Sequence, residues 1–231
     1  MKRFYKKAEA GAVEDGYSIF LDGRPIRTPA KAPLVLPNEA IASEIASEWD
    51  KQGEMVDPAT MPVMRYAATA IDRVTPQRDA VIQEISAFGG TDLVCYRAAY
   101  PEHLIEKQAR AWDPLLQWLE QTYSVTLKVT TGVGYIAQED AALEALVAII
   151  AQQDDLRLAA IHDLVSLTGS LVVALAIMQG QLDAEQAHEI SELDEGHIID
   201  EWGADDEQIK RRENNKISLE AAVKFLKLCD Q

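Results

Sequence analysis

The stretch ELDEGHIIDEWGADDE, residues 192 to 207, sets eight carboxylates and one histidine among Leu193, Ile198, Ile199 and Trp202. Such residues can ligate a metal, exchange protons, coat a solvated helix, or form an acidic rim around a docking patch. Metal ligation is the sharpest of these to test. Two acid-x-x-His pairs occur, Glu185 with His188 and Asp194 with His197, the spacing that carboxylate-bridged bundles use. The pattern predicts one helix over 183 to 202. At about 100° per residue, the nine steps from 185 to 194 turn about 900°, which leaves half a revolution. The pairs then face opposite sides and cannot share an ion. No motif nominates further ligands, so no metal site is expected.

The same angles gather Ala187, Ile190, Leu193, His197 and Ile198 on one side of that helix. Asp194 falls inside this apolar stripe, and Glu195 at its edge beside Ile198, Ile199 and Trp202. An acid on an apolar face must be paired, protonated or kept for a partner, because an uncompensated buried charge is costly. The two readings are an ion pair to an arginine elsewhere in the chain and a docking acid.

Other chemistry finds little support. Cys95 lies near Asp92, with His103 eight residues on, but cysteine between Val94 and Tyr96 in an apolar run is more often core than nucleophile. No G-x-S-x-G elbow and no phosphate-binding glycine loop occurs, and TTGVGYI lacks the glycines and lysine of one. Nucleotide binding through a standard loop is therefore not expected. Trp49 and Trp112 both occur as Trp-Asp with apolar residues one helical turn away. Each is either a core anchor or, if exposed, a binding hot spot.

The elements that must position these groups follow from the rest of the chain. Its 231 residues, 48% apolar and 26% charged, can bury a sizeable core. Net charge is −16, yet residues 1 to 31 carry +3, which leaves −19 for the remainder. So acidic a body argues against nucleic acid or anionic membrane as partner. No apolar run is long enough to span a bilayer, and the richest, Leu164 to Met178, reads as a buried helix. Two cysteines make no disulfide framework, so a reducing, cytoplasmic setting is expected.

The first forty residues have the rhythm of strands, with Asp22-Gly23 as a tight hairpin turn and PLVLP as another extended segment. Asn38 is placed to cap a helix presenting Ile41, Ile45 and Trp49 on one face. DPATMP suggests a boundary, giving a β-containing domain over 1–58 and a helical domain over 59–231. In the second part, Pro62 and Pro76 open helices, and Gly89-Gly90 ends the latter. A long helix pattern follows over 101 to 123, with Pro114 expected to kink it. SVTLKVTTG reads as a strand, and further helices fit 138–153, 155–179, 183–202 and 217–229. The fold class is α+β, a small strand-rich part before a larger multi-helical one.

Three blocks carry a resemblance: EWDKQGEMVDPATMPVMRYAATAIDR, TDLVCYRAAYPEHLIEKQARAWDPLLQWLEQTY and LDEGHIIDEWGADDE. In order and spacing they resemble the assembly chaperones that bind the α subunit of F-type ATP synthase. Thr91, Asp92, Cys95, Tyr96, Arg97, Pro101, Gln108, Trp112, Asp113 and Pro114 are the most specific part, and the likeness runs from about residue 15 onward. It implies a chaperone that holds the free α subunit before it joins β and shields an apolar interface, without hydrolysing ATP and with no catalytic residue, cofactor or small-molecule substrate. It also implies a bacterial, cytoplasmic member, since mitochondrial members carry an import extension. Trp49 would correspond to a tryptophan important for function, and Glu195, with Asp194 beside it, to an acidic position needed for the chaperone role. Where the family has an aromatic and then a glutamine after the acidic pair, this chain has His197 and Ile198. The alternatives are an acidic enzyme using a carboxylate/His metal site or Cys95, and a general holdase with no dedicated client.

Overall fold

A computed structural model describes residues 1–231. Its strands are β1 (Ala8–Val13), β2 (Gly16–Leu21), β3 (Arg24–Pro25), β4 (Tyr96–Arg97) and β5 (Thr130–Thr131). Its helices are α1 (Glu39–Asp50), α2 (Pro62–Thr69), α3 (Arg78–Ala87), α4 (Glu102–Tyr123), α5 (Asp140–Ala151), α6 (Asp155–Thr168), α7 (Leu171–Met178), α8 (Ala184–Ser191), α9 (Leu193–Trp202) and α10 (Asp206–Cys229). The class is α+β, as expected. No helix is long and apolar enough to cross a membrane.

Contacts divide the chain into one unit of 1–78, 154–160 and 224–231 and another of 79–153 and 161–223. The break expected at 58 is not where this division falls. The helix opened by Pro62 buries Val63, Met64, Tyr66 and Ala67, and Tyr66 stacks on Phe225 within the first unit.

In that unit β1, β2 and β3 form an antiparallel meander, with Ala8 opposite Leu21 and Val13 opposite Gly16. Asp22 and Gly23, at φ 49° and 80°, make the β2–β3 turn, because both central positions of this tight turn need positive φ. Asn38 caps α1 by accepting from the Ile41 amide at 2.9 Å. Ile41 and Ile45 then join Ile19 and Leu21 in the core.

Glu48, also on α1, is a buried acid that serves the fold. Its carboxylate accepts from the Val63 and Met64 amides, each at 2.8 Å, and so caps α2. Burial raises its carboxyl above the usual range, against the pull of those two amides. Glu48→Ala removes both acceptors, so we expect a loss of about 1–3 kcal/mol in urea unfolding, and a smaller loss for Glu48→Gln. Equal stability of all three proteins would contradict the capping role.

The second unit is built around α7, whose residues Leu171 to Ile177 are all buried. The helix expected over 155–179 is two helices, because Gly169 at φ 66° ends α6 and Ser170 caps α7 by accepting from the Val173 amide at 3.0 Å. α4 is continuous over 102–123, with Pro114 inside it. SVTLKVTTG is strand only at β5, paired in parallel with β4. The backbone of Lys128 is instead held by the Gln138 side chain, which accepts from its amide at 2.7 Å and donates to its carbonyl at 2.9 Å. α10 begins at 206, well before the expected 217, where Asp205 and Gln208 bond each other's backbone amides as a capping pair.

Candidate functional site

The acidic stretch does not lie on one helix. α8 ends at Ser191 and α9 begins at Leu193, with Glu192 between them at φ −98° and ψ 14°. That joint resets the angular phase, so the faces expected from a single helix do not hold. Ile198, placed inward by the single-helix count, is 52% exposed. His197 is buried. The two acid-x-x-His pairs are dispersed among other partners: Glu185 pairs with Lys216 at 2.9 Å, and Asp194 accepts from the Gln108 amide nitrogen at 2.7 Å.

The acid buried at this place is Glu192, 7% exposed, and not Asp194. It lies 3.6 Å from Arg211 and 3.8 Å from Arg212, both on α10, and accepts from Asn215 at 3.2 Å. Glu195, half-buried, is ion-paired to Arg211. Hydrogen bonding to that guanidinium holds its carboxyl below the usual range, and the same bond raises Arg211. Of the two readings open for Glu195, the internal ion pair is therefore formed in the free chain. The pair is partly solvated, so it is worth about 0–1 kcal/mol and does not preclude a second role.

Trp202, the last residue of α9, is 83% exposed. It stands one turn from Ile198 and, with exposed Ile209 on α10, leaves large apolar groups in water. Asp200 and Glu201 lie between Ile198 and Trp202 in sequence, and Asp206 and Glu207 stand in the first turn of α10. Large apolar side chains thus stand in water on a strongly acidic helix.

Trp49 lies in the other unit. Half-buried on α1, it packs edge-on against Tyr5 at 5.5 Å and lines a cavity of about 730 Å³ with Met1, Val56, Met61, Met64 and Ala68. Its indole N–H is shielded from solvent and has no hydrogen-bond partner. Trp112 is core: fully buried, it donates to the Ile190 carbonyl at 3.1 Å, with the Arg97 guanidinium 5.2 Å from its ring centre.

Cys95 is fully buried, and desolvation, aided by the Asp92 charge, pushes its thiol up to about 12. A thiol so held carries almost no thiolate at neutral pH, which removes its use as a nucleophile. Sequence reasoning missed Glu192, Arg211 and His103 as members of this region. Gln108 carried a signal, since a glutamine one turn before Trp112 on the apolar face of α4 has to be hydrogen-bonded. Its side chain accepts from the Ala98 amide at 2.8 Å as well as donating to Asp194.

Against known proteins, a family model described as ATP12 chaperone protein matches residues 2–120. The mitochondrial protein atp12 of Schizosaccharomyces pombe is 26% identical over 215 residues, covering 88% of this chain and 74% of its own length. The crystal structure of Atp12 from Paracoccus denitrificans is 40% identical, with a TM-score of 0.95 over 98% of this chain and 97% of that one. An aspartate-to-lysine mutant of the same protein gives the same values. The Atu1473 protein of Agrobacterium tumefaciens is also 40% identical, with a TM-score of 0.94 over 99% of this chain and 86% of that one.

Proposed function

The chain belongs to the ATP12 chaperone family, which acts in ATP synthase assembly, and from that premise we propose that it binds the free α subunit of F-type ATP synthase through α9 and the start of α10. The observation that carries this choice of surface is Ile198 and Trp202, exposed one turn apart on a helix rimmed with acids. Burial of these apolar groups supplies the free energy of docking. The acidic rim sets orientation and on-rate, and a patch of this modest size suits a contact that must be released when the α subunit meets β. Trp49 is a second contact in the other unit, where its apolar cavity offers room for a client side chain. The chaperone works by occupancy rather than chemistry, and the raised Cys95 thiol supports a protein that is not an enzyme.

Co-purification with the isolated α subunit tests this. Trp202→Ala removes an exposed side chain, so the fold should be untouched while affinity falls about tenfold or more. Undiminished capture by Trp202→Ala would overturn the choice of surface. Glu195→Lys is expected to weaken capture as well, but it also sets a lysine against Arg211. The double change Glu195→Lys with Arg211→Glu separates the two effects. If the swap restores capture, Glu195 acts by fastening α10 to α9; if it does not, while an Arg211→Glu single variant, which also faces Glu192, captures as the parent does, the carboxylate itself meets the client. Competition by unrelated unfolded chains should leave the complex intact, whereas a general holdase would release the α subunit to them.

A further inference from the structure

We propose that His103, His197 and Glu201 form a binding site for a divalent transition metal of the zinc class, tying the first turn of α4 to α9. His197 and Glu201 are four residues apart on α9 and therefore share a face. His103, the second residue of α4, meets them from the facing helix, its ring 4.9 Å from that of His197 and at 67° to it. The donor atoms of all three lie within 4.8 Å of one another.

The distances favour a shared ion over a simple hydrogen bond. One carboxylate oxygen of Glu201 stands 3.6 Å from His197 Nε2 and 3.9 Å from His103 Nε2. Both separations exceed hydrogen-bond length, so the three groups converge on a point without bonding one another. Tetrahedral ligands about 2.0–2.2 Å from zinc are separated by about 3.4 Å from each other, which the set reaches by closing about 1 Å or less along most edges.

Burial assigns the parts. His197 is 8% exposed, so packing holds its ring in place, while His103 and Glu201 reach solvent. That leaves an entry path and an open position for water, as in three-ligand zinc sites. Two imidazoles and one carboxylate select zinc, nickel or copper over magnesium and calcium, which prefer all-oxygen sets. Neither acid-x-x-His pair of the sequence supplies this set; the second of them shares only His197 with it.

The test uses the tag-free full chain, stripped with a chelator, dialysed and titrated with zinc chloride by calorimetry, with elemental analysis of the dialysed complex. One equivalent is expected, together with a zinc-dependent rise in Tm. His103→Ala and Glu201→Gln each change an exposed side chain. Both should lower zinc affinity about tenfold or more, with chelator-treated Tm unchanged. His162→Ala, a histidine near Glu84 away from the set, should bind as the parent does. Failure to bind zinc stoichiometrically, undiminished binding by His103→Ala, or equal binding of magnesium would each overturn the site. The result is independent of whether α9 docks the α subunit.

Discussion

Trp112→Ala is expected to lower the unfolding free energy by about 3–5 kcal/mol, the range for a fully buried tryptophan cut back to its β-carbon. Three losses combine. The indole leaves a cavity between α4 and the helices around it. The Ile190 carbonyl at the end of α8 loses its donor, and the Arg97 guanidinium loses the ring face it lies over. Arg97 would keep its 2.8 Å ion pair with Asp113 and its bond to the Val94 carbonyl, so β4 should remain in place. Trp112→Phe separates volume from polarity, since it restores most of the ring but cannot reach the Ile190 carbonyl as a donor. Its cost should be intermediate, about 1–3 kcal/mol. Urea unfolding followed by far-UV circular dichroism gives both values, and a cost below about 1 kcal/mol for the alanine variant would place Trp112 outside the core.

The second large effect belongs to Asp92. It is fully buried, and its carboxylate accepts from the Ser170 hydroxyl at 2.5 Å, the Val172 amide at 2.9 Å and the Val94 amide at 3.2 Å. One side chain thus satisfies the start of α7 and the short 3₁₀ turn Leu93–Cys95. Asp92→Ala strands those donors at once and should cost about 3 kcal/mol or more. Asp92 also carries a pH signature. Burial outweighs the hydrogen bonds it accepts and pushes its carboxyl up to about 6 from the ordinary 3.8. The folded chain therefore binds this proton more tightly than the unfolded chain. The resulting stability is fully present below about pH 3.8 and is lost as pH rises through about 6. A rise of about two pH units corresponds to about 3 kcal/mol.

Carboxylates held low, Glu195 by Arg211 and Glu139 by Lys128, act in the opposite sense, losing their stabilisation as pH falls. They are shared by the parent and an Asp92→Asn variant, so they cancel in the difference. The stability of the parent relative to Asp92→Asn should therefore fall by about 2–3 kcal/mol between pH 4 and pH 7. A difference that stays flat over that range would mean Asp92 is ionised throughout.

Both residues belong to the block on which the family resemblance rests, and that block proves to be largely interior. Asp92 and Cys95 are buried, Arg97 braces Trp112, and Gln108 holds the Ala98 amide and Asp194. The resemblance identified the chain through its core. The exposed part of α9, with Ile198 and Trp202, lies outside that block.

What the sequence determined by itself was local. Asp22-Gly23 makes its turn, Asn38 caps α1 and Pro62 opens α2, because each rests on φ preferences or bonds within a few residues. The α+β class followed from the same signals, and family membership from the spacing of the matched blocks. Tertiary structure decided the rest. The charged start of α10 is capped locally by Asp205 and Gln208, but its basic side chains meet Glu192, Glu195 and Glu185, partners that no period along the chain announces. The joint at Glu192 then changed the phase of the later residues, turning Ile198 outward while His197 stays inward, as the single-helix count has it, against His103. A helix repeat reports a face only while the helix is unbroken. Which acid is buried, which is paired and which tryptophan meets water are properties of the packing between helices.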